Sequence, residues 1–498
     1  MPWPVHPTGF FGARGDSDTY RIERSLRFNS ADGPYLTRPF STPTSSSKWT
    51  MSMWFKRGSI STGLVGLFGK TVNSGANFYI GINSNDTMTW TFTNTLVMTT
   101  NQVFRDPSSW CHLVAVWDSA NSTAIQRARI YINGSEITSW STDNRSSVTT
   151  SMDAWNTTNT SFLHAVGAIS NTASTVAYNF DGHIAETYFI DGQALTPSRF
   201  GETDAITGRW KAKAYSGTYG TNGFYLKFAD NSGTTATTLG KDSSGNGNNW
   251  TPNNFSVTSG DGNDSLVDSP TNYGGDSGVG GEVRGNYCVF TSIASNMSSG
   301  SITNGGLDVS TVGGGGQKRT SFSFTSGKWY WEITHTGGAN PNAGSIGICD
   351  ASATVDSNIF TTSGFIIYYA AGDKYINGTS SSYGSSYTTN DVIGIALDLD
   401  SGTKTISFYK NNTNQGSITI SGITNVVPFV GSGSSTQNTT YSANFGQRPF
   451  AYTAPSGFKA LCTQNLTQPT IQKPSTAMDV VTYTGTGASQ SISSLGFS

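Results

Sequence analysis

The stretch FDGHIAETYFIDGQALTPSRFGE at residues 180–202 constrains the chain most. Ile184, Tyr188 and Ile190 alternate with Ala185 and Phe189, so a strand through them sends apolar side chains to both faces of a pleated ribbon. Such a strand has to lie between two layers. Asp191-Gly192 then turns the chain, and Pro197 opens a segment that cannot donate to a ladder. The same grammar recurs upstream. In WTMSMWFKRG, Trp49, Met51, Met53 and Phe55 share one face and Thr50 and Ser52 the other, which predicts a half-buried antiparallel strand. WCHLVAVWD predicts another, with Cys111, Leu113, Ala115 and Trp117 alternating with His112, Val114 and Val116. ARIYINGSEI carries Asn133-Gly134, the favoured pair for a two-residue hairpin turn.

Taken in order from SLRF at residues 25–28, through WTMSMWFKRG, to FDGHIAETYFIDG, these segments resemble the laminin-G-like, concanavalin A-type sandwich. The resemblance implies a lectin-like module over residues 22–202, with SLRF pairing near the closing strand. A second set of segments resembles a SPRY domain: KWYWEITH from Lys328, SIGICD from Ser345, DVIGIALDLDSGTKTISFYKNN from Asp391, VVPFVGSG from Val426 and ANFGQRPF from Ala443. Independently of any family, Ile393, Ile395, Leu397 and Leu399 share a face, Asp400-Ser401-Gly402 turns, and Ile406 and Phe408 return. SPRY domains are bent sandwiches that bind proteins or other surface ligands through loops. The expected architecture is all-β: two antiparallel β-sandwich (jelly-roll type) domains at 22–202 and 286–458, joined by a Gly/Asn/Ser-rich connector at 203–285. An N-terminal arm (1–21) and a C-terminal tail (459–498) flank them.

Composition supports this division. A chain of 498 residues is too long for one core and predicts two to four domains. Charged residues make up 12%, against a usual share of about 25%, so solubility must come from hydroxyls and amides in tracts such as SSSYGSSYTTND and SSTQNTTYSANF. At 12% aromatic the chain still has enough Trp, Tyr and Phe to fill cores. With a net charge of −2 and no basic stripe it lacks the footprint of a nucleic-acid binder. It holds no apolar run long enough to span a bilayer. Its first residues show neither a basic n-region nor an apolar h-region, so export by the ordinary secretory route is not expected. Cys111, Cys288, Cys349 and Cys462 form no C-x-x-C pair, which speaks against zinc or a disulfide framework, and Cys111 and Cys349 read as small buried hydrophobes.

Catalysis is not expected. Glucanases of the concanavalin A-type fold need two carboxylates on one strand face, about 5 to 5.5 Å apart, in a Glu-x-Asp-x-x-Glu string. None occurs here: Glu186 is followed by Thr187-Tyr188 and Glu332 by Ile333-Thr334, and Glu186 reads as a carboxylate that caps or tethers neighbouring backbone. No Gly-x-Ser-x-Gly elbow supports a serine nucleophile, and His112 reads as a satisfied core or interface residue. Asp398 and Asp400 form a D-x-D pair whose position before Ser-Gly fits turn chemistry better than a metal. No cofactor is expected. Calcium is the alternative at Asp242, Ser244, Asn246 and Gly247, where Asn253 replaces the bidentate glutamate of a calcium loop and Asx turns offer the competing account.

The block from FIDGQALTPSRFGE to NGNNWTPNNF at residues 189–255 resembles one that recurs in tail-fibre-like and other appendage proteins of bacteriophages. That resemblance implies a virion structural protein, a tail fibre or tail-associated adhesin that binds host surface glycan. A head-attached fibre or decoration protein is the alternative, and a glycan-cleaving enzyme a more distant one. Sugars rest their C–H faces on aromatic rings, which makes Trp140, Trp155, Tyr383 and Tyr387, aromatics set in polar loops, the glycan-binding candidates. The competing reading is that they cover the ends of their own sandwiches. The expected partners are other virion proteins and host glycan, with no nucleic acid and no membrane insertion. Trp3, Phe10 and Phe11 lie in a segment too short for its own core, so the arm is expected to bury them against a partner surface in a homo-oligomer, with a trimer favoured by the resemblance to phage fibres.

Overall fold

The structure is a computed structural model that describes residues 19–468 except 61–62, 73–75, 93–96, 151, 153–162, 171–175, 294, 296–299, 313–315, 355–357 and 434–437; beyond these it describes 470–471, 477–478 and 483–491. The strands are antiparallel, and the helical segments among the described residues are short 3-10 turns. One sheet of the first sandwich runs Ser135–Glu136, Ala128–Ile132, Cys111–Asp118, Lys48–Arg57, Gly182–Asp191, Ser25–Phe28 and Ser265–Leu266, and Phe224–Leu226 also pairs with Gly182–Asp191. The facing sheet runs Trp140–Asp143, Val97–Val103, Thr87–Thr91, Ala76–Ile82, Val65–Val72, Leu163–Val166, Tyr35–Pro39 and Thr251–Asn253. Between them Trp49 packs on Trp117, Trp90 and Phe189 at centroid distances of 6.3, 5.5 and 5.5 Å. The opening strand meets the closing one with Leu26 opposite Ile184. Asn133 and Gly134 sit at φ 48° and 83°, the left-handed pair that a two-residue hairpin requires.

The strand Lys48–Arg57 departs from the half-buried expectation. Thr50 and Ser52, on its outward face, are as buried as the core face. The cause is the chain that follows Gly182–Asp191, the end of the first domain together with the connector. Phe200, Tyr215 and Tyr225 pack over Val114, Val116, Tyr188 and Ile190, while Ala212 and Trp210 cover Trp54 and Trp110. Thr50 is satisfied there by donating to the Gln193 carbonyl and accepting from the Leu195 N–H, both at 2.8 Å. Residues 203–285 therefore supply edge strands to both sheets and a third layer over one of them. Each aromatic so buried contributes roughly 1.5–3 kcal/mol.

The second sandwich pairs Phe290–Thr291, Lys318–Thr320, Val426–Ser432, Gly344–Asp350, Phe365–Tyr369, Asp373–Ile376 and Thr379–Ser382 in one sheet. The other holds Ile302–Thr303, Asp308–Thr311, Thr439–Asn444, Lys328–Gly337, Val392–Asp398, Thr405–Lys410 and Thr413–Thr419. Ile393, Ile395, Leu397, Ile406 and Phe408 line its core as their alternation predicts. Leu461 joins that core and Cys462 bridges Tyr287, so the expected tail boundary at 459 falls inside the packing.

The sandwiches are joined through buried polar groups. Lys56, fully buried, pairs with Asp268 and donates to Asn286 Oδ1 at 2.9 Å and to the Tyr287 carbonyl at 3.3 Å. The second Asp268 oxygen accepts from the Trp110 indole at 3.0 Å. Nearby, His183 Nε2 donates to the Gly305 carbonyl at 3.0 Å, and the Gly305 N–H donates to Asp181 Oδ1 at 3.1 Å. Gly305 is at φ 67° and a Cβ there would lie 2.6 Å from His183 Nε2, so only glycine permits this approach. Arg27 binds Asp264 at 3.0 Å and Arg448 binds Asp261 at 2.7 Å, which clamps the intervening loop from both sides. Leu266 pairs its backbone with the first sandwich and puts its side chain in the second core.

Asp268→Ala strands a buried ammonium and is expected to cost about 3–5 kcal/mol of unfolding free energy in chemical denaturation. The double variant Lys56→Met/Asp268→Leu should recover most of that loss. Equal losses in the single and double variants would show that the pair is not what stabilises this junction.

Candidate functional site

The carboxylates Glu186, Glu332, Asp242 and Asp398 are engaged by donors. Glu186 sits in a β-bulge of Gly182–Asp191, between Ala185 and Thr187, at φ 42°. The bulge turns its side chain to the covered outer face, where it is 3% exposed. There Tyr20 donates to Oε1 at 2.5 Å, Tyr225 donates to the same oxygen, and the Tyr188 and Tyr20 hydroxyls are 3.0 Å apart. Burial pushes the Glu186 carboxyl up to about 7, against the pull of the two tyrosine hydrogen bonds. Glu186 is thus a tether, holding residue 20 on the sandwich. Glu332, in the other sandwich, accepts from the Ala451 N–H at 2.7 Å, the Tyr452 N–H at 2.8 Å and the Tyr330 hydroxyl at 3.1 Å.

The two metal-like motifs use their oxygens the same way. Asp242 accepts from the Tyr225 N–H at 2.9 Å and from Ser244 N–H, Ser244 Oγ and Asn248 N–H at 2.8 Å, the Asx-turn arrangement. Four donors converge on it, the opposite of what a cation needs. Asp398 accepts from the Asp400 and Ser401 N–H groups at 3.0 Å, from Ser401 Oγ at 2.7 Å and from Lys328 Nζ at 2.8 Å, as a turn residue does. Among the described residues no group of three or more His, Cys, Asp or Glu is placed to hold a metal. His112 is satisfied on both nitrogens, by Ser52 Oγ at 2.8 Å and the Trp210 indole at 2.9 Å, and burial takes it down to about 3. Cys349 is buried in an apolar cluster, while Cys111 is half-buried against the first core; burial raises their thiols to about 11 and about 12.

The aromatic candidates do not converge. Tyr387 is enclosed, 1% exposed, with its hydroxyl on the Tyr368 carbonyl at 3.1 Å, and so offers no ring face to a sugar. Trp140 packs its ring between the first core and the Arg145 guanidinium, 5.1 Å from its centroid, so it covers the end of its sandwich. Tyr383 donates to the Gly416 carbonyl, meets Tyr368 edge-on at 5.4 Å and lies under Lys374 Nζ at 5.4 Å. These three pack against their own sandwiches, Trp140 from the edge strand Trp140–Asp143 and Tyr383 and Tyr387 from a loop that folds back onto the core, which local polarity does not reveal. Trp155, Trp3, Phe10 and Phe11 lie outside the described residues. Sequence reasoning missed the Tyr20–Glu186 tether altogether, since its members lie 166 residues apart and only the bulge brings them together.

With this geometry in view, comparison with known families is consistent with the two sandwiches. A family model described as the concanavalin A-like lectin/glucanases superfamily matches residues 30–201, and the SPRY domain model matches residues 328–448. The chain therefore carries a concanavalin A-like domain followed by a SPRY domain. Among solved structures, the SPRY domain of human HERC1 is 23% identical, covering 33% of this chain and 99% of its own, with a TM-score of 0.27. The heptameric SAP-like pentraxin of Limulus polyphemus is 15% identical, covering 36% and 80%, with a TM-score of 0.27. A putative carbohydrate binding protein of Bacteroides ovatus is 14% identical, covering 47% and 59%, with a TM-score of 0.33. No curated protein matches the chain.

Glu186 also sets a pH dependence. Its folded value of about 7 lies above the ordinary 4.5, so between these limits the native chain binds a proton that the unfolded chain does not. The stability it contributes is present below about 4.5 and is lost as pH rises through about 7. Glu186→Gln should flatten the fall in denaturation midpoint across that window; an unchanged slope would show that Glu186 does not titrate there.

Proposed function

We propose that this chain is a non-catalytic structural adhesin of a bacteriophage, an external tail component that recognises glycan on the host surface. The observation that carries the reading is the use of its carboxylates. Glu186, Glu332, Asp242 and Asp398 each accept two or more donors from the chain itself, which supports binding rather than bond cleavage as the work of the surface. The connector seals the outer face of one sheet, so recognition falls to loops and edges rich in Ser, Thr and Asn, whose hydroxyls and amides suit sugar hydroxyls. The resemblance of residues 189–255 to phage appendage blocks supplies the virion context. Assembly into a trimer through the arm of residues 1–21, with Trp3, Phe10 and Phe11 buried between copies, is part of the same reading.

Labelled full chain on a glycan array is expected to bind without shortening any glycan, and antibody labelling should place it on the outside of particles. Release of sugar fragments would replace the adhesin with an enzyme, and label confined to the cell interior would remove it from the virion. Light scattering of the chain without residues 1–18, which keeps Tyr20 and its tether, should show monomer where the full chain shows trimer. An unchanged mass would dismiss the arm.

A further inference from the structure

The junction between the sandwiches brings an amine, a carboxylate and a carboxamide to one point. Lys56 follows Thr50, Ser52 and Trp54 on the outward face of Lys48–Arg57 and is fully buried. Its Nζ meets a carboxylate oxygen of Asp268, the side-chain oxygen of Asn286 at 2.9 Å and the Tyr287 carbonyl at 3.3 Å. A C=O bond is about 1.2 Å long, so the Asn286 Cγ lies no more than about 4 Å from Nζ. A small side-chain shift brings the two atoms to the roughly 3–3.5 Å from which a bond can form.

Each of the three groups is held in place. The Asn286 N–H donates to Thr463 Oγ1 at 2.9 Å and its carbonyl accepts from the Thr463 N–H at 3.0 Å, which anchors its main chain. Its Nδ2 donates to the Ser108 carbonyl at 2.6 Å, so the amide oxygen, not the nitrogen, faces Lys56. Asp268 keeps Oδ2 for Nζ because Oδ1 accepts from the Trp110 indole at 3.0 Å and from the Tyr287 N–H at 3.3 Å. The Trp110 ring, centred 5.7 Å from Nζ, adds apolar surface beside the amine. Lys328 and Lys410 also meet carboxylates, on Asp398 and Asp391, but their side chains are 36% and 25% exposed and water stabilises the ammonium there. Lys56 and Asp268 have no such access, and a buried pair of charges is costly to keep.

We infer that Lys56 and Asn286 join in an amide bond that cross-links the two sandwiches, with Asp268 carrying the protons. Nζ gives a proton to Asp268 Oδ2, and the electron pair so freed attacks Asn286 Cγ while the carbonyl pair moves onto Oδ1. As the C=O re-forms, the Cγ–Nδ2 bond breaks. Nζ ends with one of the three protons of its ammonium form; of the other two, one departs on Nδ2 as ammonia and one stays on Asp268. No oxidant, reductant or further reactant is needed, and no charge remains buried. The residues come from the first sandwich, the connector and the start of the second, so the bond closes only after all three have packed. Load applied to the ends of the chain then passes directly from residue 56 to residue 286, whatever the surface binds. The Asp268 variants described above cannot close the bond, and their reference is wild-type chain sampled before its mass falls.

The test is the intact mass of the full chain under denaturing conditions, followed by protease digestion and fragment sequencing. Folded wild-type chain, once aged, is expected to be lighter than its sequence by one ammonia and to yield a branched peptide joining Lys56 to Asn286. Wild-type chain held in denaturant from the time of its synthesis should keep its full mass until it is refolded, a control that needs no substitution. Asn286→Ala, which removes the carbon under attack, and Asp268→Asn, which keeps the size of the side chain but cannot carry the proton, should both retain full mass when circular dichroism shows them folded. If Asp268→Asn does not fold, the denaturant control and the half-buried Asn286 carry the comparison. Full mass in aged, folded wild-type chain would overturn the inference. So would loss of one water with the branch at Asp268, an ammonia loss that maps to any other residue, or a cross-link that still forms in folded Asp268→Asn.

Discussion

A fully buried ammonium has to find its counter-charge inside the protein, and here Lys56, at the end of a strand in the first sandwich, finds it on Asp268 of the connector. Neither partner retains water, so the geometry around them is strictly set. Asn286, Tyr287 and Trp110 complete the shell and bring both sandwiches to the same point. The close approaches at Gly305 and Gly58 follow from that docking: a Cβ at Gly58 would lie 2.2 Å from an Asp181 oxygen and 2.6 Å from the Gly305 Cα.

The chain has few charges and places many of them inward. Asp181, Asp191, Asp350 and Glu332 each accept N–H groups from loops distant in sequence, work that in other folds falls to regular secondary structure. A charge-assisted bond to a backbone N–H is stronger than a neutral one, which suits a protein whose connections are long and rich in glycine. The outer surface is left to hydroxyls and amides.

Whatever depends on neighbours in the chain was legible in the sequence. Trp49, Met51, Met53 and Phe55 declare one face of a strand, Asn133-Gly134 declares a turn, and Ile393 to Phe408 declares a hairpin, because period and turn chemistry are local. The full burial of Thr50 and Ser52 could not be read, since the layer that covers them comes from residues 194–225. Tyr387 looks like a loop aromatic in SSSYGSSYTTND and is a core one, because that loop folds under Tyr368. The expected grouping of Ile184 with Tyr188 and Ile190 fails because the bulge at Glu186 shifts the alternation, so Ile184 and Phe189 face the core while Ala185, Tyr188 and Ile190 face the covering layer, and Asp86 meets Arg57 and Arg105 only when the sandwich closes.

Leu266 gives its backbone to one sandwich and its side chain to the other, and Thr251–Asn253 and Phe224–Leu226 are edge strands of the first. The seam that family boundaries suggest near residue 202 is therefore not where the molecule comes apart. Genes for modular proteins are reshuffled by recombination, and a crossover at that seam would set the edge strands and covering layer of one protein against the sandwich of another. Exchange between such proteins should instead succeed when the first sandwich travels with everything up to the strand at Phe290–Thr291, so that the heritable unit is the sandwich together with its connector.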